Sequence, residues 1–354
     1  MTMDTSPQRP RRAKIDDVAE LAGVSTKTVS RVLNNEPNVR AETRERVKAA
    51  AKKLSYSPDL SARSLAGQRS YMFALFYDTI SEGYLSKFQS GALDRCRDRT
   101  YHLMVGRFDV EAADVVEQIV QAAERTRVDG VLLLPPLSDH PHIGERLWAA
   151  GIACVLIAPS NPQGSMPFID LDDMNAARTL TGHFLKQGHT RIGFIEGHTA
   201  HGAAALRRLG YLAALEDAGL PIDPDLLVQG WFTVASGRLA AERLLALNSP
   251  PTAIFASNDE MAAGAEIVIF EHGLSVPRDI SVVGFDDSLL ASTASPPLTT
   301  VRQPIEEMAQ GAVDLLIEVN RKGVAGYDVT AESRRYDFEL VVRQSTVPGF
   351  GEKA

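Results

Sequence analysis

The chain has 354 residues, too many for one ordinary hydrophobic core, so we expect two or three domains. No run of about 18 apolar residues occurs, which argues against a membrane-spanning protein. The first dozen residues lack the apolar segment of a secretory signal, which argues against an exported protein. We therefore expect a cytoplasmic protein. The net charge of −8 is uneven, because residues 1–70 hold 14 Lys and Arg against 8 Asp and Glu; this favours a basic module that contacts a polyanion, joined to an acidic body.

The basic module begins with two predicted short helices. Apolar residues at helical spacing indicate the first helix: Ile15, Val18, Ala19 and Ala22. Gly23 supplies a turn, and Ser25 is a suitable N-cap for the second helix. The inward side of that helix is expected to consist of Val29, Val32 and Leu33. Two short helices joined by a glycine-containing turn are typical of a helix-turn-helix.

The outer side of the second helix then carries donors and small acceptors, the groups that contact base edges and phosphates in a major groove. These residues are Ser25, Thr26, Lys27, Thr28, Ser30 and Arg31. A solvated helix surface is the alternative interpretation. The order of the elements, the turn chemistry and the basic charge together favour DNA binding.

A third helix is predicted over "RAETRERVKAAAKKL". Its inward residues would be Val47, Ala50 and Leu54, and its outward residues Arg44, Arg46, Lys48, Lys52 and Lys53. The following "LSARSLAG" could form about two helical turns, too few to be stable in water, so we expect this segment to fold only on a partner.

From Tyr71 onward, short apolar runs alternate with amphipathic stretches, which predicts an α/β body with buried parallel strands. The strand-like runs are "YMFALFY", "YHLMVGR", "GVLLL", "IACVLIA", "RIGFIEG", "TAIFAS" and "ISVVGFDD". GxGxxG after a strand, GxxxxGK[ST], HExxH and GxSxG are all missing. The sequence therefore predicts neither an enzyme nor a bound cofactor. Cys96 and Cys154 are expected to be reduced thiols.

Several motifs resemble those of the lactose-repressor/galactose-repressor (LacI/GalR) family of bacterial transcription regulators. They are "DVAELAGVSTKTVSRVLN", "TRERVKAAAKKLSYSPDLSARSLAG", "GFDD", "PPLTTVRQP" and "ELVVRQST". The resemblance extends from about Lys14 to about Thr346. It implies an N-terminal all-α helix-turn-helix headpiece with a hinge helix, and an α/β periplasmic-binding-protein-like core of two open parallel-sheet subdomains.

The resemblance also implies domain boundaries. The headpiece would span residues 13–58, the hinge 59–70 and the core 71–346. Within the core, the first half would comprise about 71–170 and 303–332, and the second half about 171–302 and 333–346. Ligands in open α/β sheets bind beyond the carboxyl ends of the strands, so we expect the pocket between the two halves.

For the DNA contacts, the resemblance places the second helix in the major groove, with Asn34 at its end near the backbone. The hinge helix would enter the minor groove, where Leu65 matches a leucine wedge and Ala62 and Arg63 flank it. The implied partner is a near-palindromic double-stranded operator, bound by a homodimer in the nucleoid. The C-terminal segment lacks a leucine heptad, which favours a dimer over a tethered tetramer.

For the effector pocket, the resemblance and the positions after the strands indicate Tyr84, Leu85, His201, Arg207, Phe232, Asn258 and Asp286. Helix capping is the alternative role for Asp286 and, equally, for Asn258 with Asp259. Phe232 or Trp231 could instead be core residues. His201 departs from the family's usual Ser or Arg. His198 and His201 lack a third ligand nearby, so no metal site is predicted.

The sequence thus predicts a repressor controlled by a small molecule, with carboxylate, guanidinium and aromatic groups that favour a sugar or glycoside. A nucleobase or nucleoside would use similar groups and remains an alternative. An anionic effector is disfavoured, because Arg207 is the one cation expected there. Two other protein classes are alternatives. A solute-binding protein would have no use for residues 15–66. An enzyme with an accessory DNA-binding head would convert its ligand chemically.

Overall fold

The computed structural model describes residues 13–33, 39–56, 69–79, 81–160, 166–324 and 333–346. The chain divides into two compact units, Met1–Tyr71 and Met72–Ala354. Each unit has an apolar core of its own. Among the described residues, no helix is both long and apolar enough to cross a membrane.

Three helices form the described part of the headpiece: α1 (Ile15–Ala22), α2 (Thr26–Leu33) and α3 (Ala41–Lys53). Val18, Val29 and Val47 each contribute a fully buried side chain to their shared core. Gly23 ends α1 with a left-handed φ of 62°, and its N–H group donates to carbonyls of the last turn. The predicted helix-turn-helix is therefore confirmed.

One side chain of α3 lies differently from the prediction. Arg44 was expected to point outward, but it is half-buried and its Nη1 lies 3.4 Å from the carbonyl oxygen of Val32. A cation near the last carbonyls of α2 favours the helix dipole, so Arg44 braces α2 instead of facing solvent. The predicted hinge falls largely on residues 57–68, which lie outside the described residues.

The first half of the core contains a six-stranded sheet in which every neighbouring pair is parallel. Its strands are β1 (Met72–Tyr77), β2 (His102–Arg107), β3 (Gly130–Leu133), β4 (Ala153–Ile157), β5 (Phe168–Leu171) and β11 (Arg334–Tyr336). The spatial order is β11-β5-β4-β3-β1-β2. The expectation that β2 is buried was wrong: among the described strands it lies at the edge of the sheet, and its residues are exposed or half-buried.

Helices cover this sheet: α4 (Glu82–Asp98), α5 (Val115–Thr126), α6 (Ile143–Ala149) and α12 (Ile305–Lys322), with a 3₁₀ turn at Leu137–Asp139. The longest two, α4 and α12, pack against each other. Since α12 follows the second half in sequence, the chain has crossed back to the first half by that point.

The second half of the core contains a four-stranded parallel sheet with the order β7-β6-β8-β9. Its strands are β6 (Ile192–Glu196), β7 (Leu227–Gln229), β8 (Ala253–Ala256) and β9 (Ser281–Val283). Its helices are α7 (Asp173–Lys186), α8 (Gly202–Asp217), α9 (Val234–Leu245), α10 (Asp259–Glu271) and α11 (Leu289–Thr293), with a 3₁₀ turn at Pro224–Leu226. The predicted α/β core with two open parallel sheets is confirmed.

A short antiparallel ribbon completes the core: β10 (Thr300–Arg302) pairs with β12 (Glu339–Val341). A bridge between Val283 and Thr299 continues it from β9. The strand pairing differs from the expected boundary at residue 333, because β11 is hydrogen-bonded to β5 in the first sheet. Residues 334–336 therefore lie with the first half, and only the segment beyond them lies with the second.

Candidate functional site

The start of α2 has the geometry that the sequence predicted for an N-cap. Ser25 Oγ accepts a hydrogen bond from Thr28 N at 3.2 Å and lies 2.9 Å from Thr28 Oγ1. This satisfies one N–H group that the helix leaves unpaired and fixes the Thr28 hydroxyl against the cap. The first turn of α2 is thereby held in a defined orientation.

None of the predicted DNA-contacting residues of α2 and its N-cap is among the buried residues of this helix, which are Val29 and Val32. The exposed members are Ser25, Thr26, Lys27 and Arg31, and the half-buried ones are Thr28 and Ser30. The remaining members of the predicted set, Asn34, Ala62, Arg63 and Leu65, lie outside the described residues. The described part of the headpiece therefore presents one polar, basic helix surface supported by an apolar core.

In the core unit, a pocket lies at the carboxyl ends of the strands of both halves, with about 450 Å³ of empty space that includes its opening to solvent. Its lining is Ser81, Tyr84, Pro135, Ala158, Asp173, His201, Ala203, Arg207, Phe232, Asn258, Asp286 and Gln303. Six of the seven predicted effector residues are among them. The seventh, Leu85, is half-buried but does not line the cavity, since it lies one residue further round α4 than Tyr84.

Arg207 is the buried cation of this pocket. Its Nε donates to Asp173 Oδ1 at 2.8 Å, and its Nη1 donates to the carbonyl oxygen of Ser257 at 2.6 Å. The guanidinium carbon lies 3.7 Å from the centre of the Phe285 ring, a cation–π contact. Asp286 Oδ1 is 3.9 Å from Nη2. Arg207 is therefore fixed in place, and nearby carboxylates balance its charge.

Asp286 lies in a strained loop at the end of β9. Its φ is 106°, a region that L residues rarely adopt. Its N–H group donates to Val301, and its Oδ1 accepts from Gln303 Nε2 at 2.6 Å. Burial raises the pKa of Asp286 well above its usual value, against the opposing effect of Arg207. Ser288, not Asp286, caps α11, so the capping alternative for Asp286 is excluded.

A second carboxyl group, Asp259, lies directly behind Asp286. It accepts hydrogen bonds from Ser288 N and Thr300 Oγ1, each at 2.7 Å. Burial raises the pKa of Asp259 to about 7. Since it does not line the cavity, Asp259 supports the loop of Asp286 and links α10, α11 and β10 around the pocket.

Asn258 combines the two roles that the sequence left open. Its Oδ1 accepts from Met261 N at 3.0 Å and caps α10, while its Nδ2 donates to the carbonyl oxygen of Phe232 at 3.1 Å and to Glu260. Phe232 itself has a left-handed φ of 59°, and a Cβ atom added to Gly197 would lie 2.2 Å from its ring. Gly197 is therefore required for the Phe232 ring to lie against the pocket wall.

Several hydrogen bonds join the two halves around the pocket, among them one from Lys87 Nζ to the carbonyl oxygen of Asp287 at 2.6 Å. Ser81 Oγ donates to Glu260 Oε1 at 2.6 Å, and His201 Nε2 donates to the carbonyl oxygen of Thr79 at 2.8 Å. Gly202 N donates to Asp139 Oδ2 at 2.9 Å. Burial lowers the pKa of His201 to about 4, so its ring is neutral at physiological pH.

The Tyr84 hydroxyl is buried and has no hydrogen-bond partner among the described residues. Burial raises the pKa of Tyr84, so the group stays a neutral donor and acceptor. A buried hydroxyl without a partner is costly unless a ligand or water supplies one. Together with Asp286, it offers a pocket that is rich in hydrogen-bonding groups and carries no excess positive charge.

Sequence reasoning missed some of the polar lining. Ser81, Asp173 and Gln303 each follow a strand, β1, β5 and β10 respectively, so the rule that found Asp286 and Asn258 could have found them. Pro135 and Ala158 also follow strands, but an apolar residue gives no chemical signal in the sequence. Among the described residues, no cluster of three or more His, Cys, Asp or Glu could hold a metal ion.

Comparisons with known proteins agree with both units. Residues 14–59 match the model of bacterial regulatory proteins of the lacI family, and residues 181–346 match a periplasmic binding protein-like domain. The HTH-type transcriptional regulator DegA of Bacillus subtilis is 33% identical over 339 residues, which cover 95% of this chain and 99% of DegA. The chain belongs to the LacI family. The predicted resemblance is confirmed, and the protein is a DNA-binding transcriptional regulator, not an enzyme.

Solved structures of LacI-family proteins share the whole architecture. A complex of the transcriptional regulator CelR with cellobiose is 32% identical, has a TM-score of 0.70 and covers 94% of this chain and 100% of CelR. The lac repressor dimer bound to operator and the anti-inducer ONPF is 29% identical, with a TM-score of 0.79 and coverage of 95% and 100%. The LacI-family fold thus extends over both the headpiece and the core.

Proposed function

We propose that this LacI-family protein is a repressor whose operator affinity is set by a neutral, hydroxyl-rich effector, a sugar or glycoside, in the cavity lined by Arg207 and Asp286. The observation that carries the proposal is the pocket lining: a buried carboxyl, a fixed guanidinium, the Phe232 ring and a Tyr84 hydroxyl that has no partner among the described residues. Carboxylates accept paired hydroxyl bonds, and an aromatic ring covers the apolar side of a pyranose.

The charge balance also supports a neutral effector. Asp173 and Asp286 flank Arg207, and burial raises the pKa of both carboxyls. Burial leaves His201 neutral. An anionic ligand would therefore meet carboxylates without a cation in excess, which is unfavourable in a buried site.

The alternative effector is a nucleobase or nucleoside. The Phe232 ring beside the Asp286 carboxyl favours it, because a base could stack on the ring and donate an N–H group to the carboxyl. A hydroxyl-rich ligand could form hydrogen bonds with more of the polar side chains of the lining than a nucleobase could, namely with Tyr84, Ser81 and Gln303. A matched panel of the two classes distinguishes them.

On the DNA side, we propose that α2 enters the major groove of a near-palindromic operator, with Lys27 and Arg31 on phosphates and Ser25, Thr26, Thr28 and Ser30 near base edges. The family resemblance adds Asn34 near the backbone, and Ala62, Arg63 and Leu65 in the minor groove. A homodimer, acting on the nucleoid in the cytoplasm, would bind the two half-sites.

The effector would act by shifting the relative position of the two halves of the core. This would change the population of dimers whose headpieces fit the operator spacing. Coupling between two binding sites is reciprocal, so operator DNA should change the effector affinity by the same factor.

The test uses the full chain and an operator recovered by selection from random duplexes. Sugars, glycosides and nucleosides are screened by thermal shift and then for their effect on operator affinity. A true effector at a hundredfold its Kd should add about 2.7 kcal/mol of stability to the core. Asp286→Ala should abolish the response and keep operator binding, while Glu216→Ala, on the exposed side of α8, serves as the control. A sugar that stabilises Asp286→Ala as much as the wild type would contradict the proposed site.

A further inference from the structure

A row of aromatic rings leads from the pocket to its outer edge. The rings of Phe232 and His201, which line the cavity, have centres 5.3 Å apart. His201 lies 5.3 Å from His198, and His198 lies 5.1 Å from Trp231 in an edge-to-face arrangement. The Trp231 side chain is 46% exposed. We call Trp231 and His198 the outer shelf.

The outer shelf is rigidly held. Trp231 N donates to Ser236 Oγ at 2.9 Å, and Ser236 is also paired with Thr233 in the capping box of α9. The next residue, Phe232, is fixed by its close approach to Gly197. Because the backbone on both sides is fixed, a ligand that contacts the indole need not pay the cost of ordering a loop.

The polar groups of the outer shelf are available to a ligand. Ala200 N donates to His198 Nδ1 at 3.1 Å, so His198 Nε2 carries the proton. The indole N–H of Trp231 donates to no atom of the residues that the structure describes. The shelf therefore combines an aromatic ring surface with two N–H donors.

Two carboxylates of the first half of the core lie near the His198 end of the outer shelf. Asp78 and Glu111 lie close enough to act on the charge of the His198 ring. Asp78 is held in place, since its Oδ2 accepts from Val110 N at 2.9 Å, and Arg107 lies 3.9 Å from its Oδ1. A ligand held on the outer shelf would therefore have carboxylate acceptors near His198.

From this arrangement we propose that the outer shelf is a second sugar-binding subsite, so that the effector is a disaccharide or longer glycoside whose outer pyranose stacks on Trp231. The inference rests on the proposed function and specifies its ligand class. The inner ring would occupy the cavity of Arg207 and Asp286. The outer ring would account for an exposed indole that the inner site does not use.

The two tryptophans of the chain allow a direct test. Trp148 lies on α6 and does not line the pocket, so Trp148→Phe leaves Trp231 as the single emitter. The full-length variant is titrated with cellobiose, maltose, lactose and melibiose, and with glucose and galactose as their single-ring counterparts. At least one disaccharide should change the Trp231 emission and bind about tenfold more tightly than its constituent monosaccharides, as one stacked ring would give.

The second arm measures affinity by calorimetry without the Trp148 substitution. Trp231→Ala should remove the roughly tenfold preference for the disaccharide and leave monosaccharide affinity unchanged, whereas Trp231→Phe should keep most of it. Leu239→Ala, at an exposed apolar residue of α9, is the matched control and should change neither. The melting temperature of each variant shows that it is folded.

Three outcomes would overturn the second subsite. One is an unchanged disaccharide preference in Trp231→Ala. Another is a wild-type protein that is stabilised by monosaccharides or nucleosides but by no disaccharide; the small-molecule control proposed above would then still stand. The third comes from a parallel titration with nitrophenyl glycosides: a Trp231 response to these compounds alone would assign the shelf to an aromatic aglycone. If no compound stabilises the core or changes operator binding, the proposed function fails as well.

Discussion

Replacing Arg207 by Met removes the cation from the pocket and leaves the Asp173 carboxyl, at 4% side-chain exposure, without its ion-pair partner. That carboxyl must then stay charged in a buried site or take up a proton. Its ordinary pKa is 3.8, so holding the proton costs about 1.6 kcal/mol at pH 5 and about 5.7 kcal/mol at pH 8, at 1.36 kcal/mol per pH unit. Leaving the carboxyl charged in the buried site costs about 3–5 kcal/mol. At pH 8 this is less than the cost of holding the proton, so it sets the upper limit of the loss at that pH.

We therefore expect Arg207→Met to lose about 1–2 kcal/mol of unfolding free energy at pH 5 and about 3–5 kcal/mol at pH 8. The sign follows from linkage, because a carboxyl whose pKa is raised in the folded state destabilises that state increasingly as the pH rises above its unfolded pKa. At about 2–4 °C per kcal/mol for a large domain, the loss at pH 8 is roughly 6–20 °C in the melting temperature of the core.

The assay is thermal denaturation of the full chain at both pH values. Arg178→Met is the matched control, because Arg178 pairs with Asp217 at 2.7 Å with both side chains about half exposed; it should cost less than about 1 kcal/mol at either pH. Adding Asp173→Asn to Arg207→Met should recover stability mainly at pH 8. Equal losses at pH 5 and pH 8, or a loss no larger than that of the control, would refute this account of the buried pair.

The other predictions concern recognition. Lys27→Ala and Arg31→Ala should each weaken operator binding and reduce the slope of log affinity against log salt by about one, measured by anisotropy; an unchanged slope would exclude a phosphate contact. Leu65→Ala should reduce specific affinity and spare nonspecific binding, and equal losses of both would exclude the wedge. Tyr84→Phe should leave the melting temperature unchanged or higher, because the buried Tyr84 hydroxyl has no partner among the described residues. It should weaken effector binding about tenfold, because it removes the proposed hydrogen bond from this hydroxyl to the effector. Unchanged effector affinity would exclude that hydrogen bond.

The sequence predicted the headpiece and the order of the main strands well, for physical reasons. Helical spacing of Val29 and Val32 and the cap at Ser25 are local features that tertiary contacts did not override. Short strands such as β7 and β11 were not predicted from pattern, because three residues give no periodicity. Only the ladder with β5 shows that β11 belongs to the first sheet.

The pocket was predictable in part. Asp286 and Asn258 directly follow strands, and the rule that ligands bind at carboxyl ends identified them. The ion pair of Arg207 with Asp173 joins α8 to α7, residues 34 positions apart, and no local pattern reveals it. The choice of Ser288 over Asp286 as the cap of α11 depends on the left-handed backbone of Asp286, which the sequence does not disclose.

That left-handed backbone recurs at Phe232 and at Ala158, both of which line the cavity. Glycine relieves such strain, so substitutions to glycine at these positions are candidates for raising the thermal stability of the chain. Glycine at 232 or 286 would keep the fold and delete the side chain that meets the ligand. A thermostable variant selected in the absence of the effector should therefore lose its response to the effector first. Its affinity for operator DNA should persist.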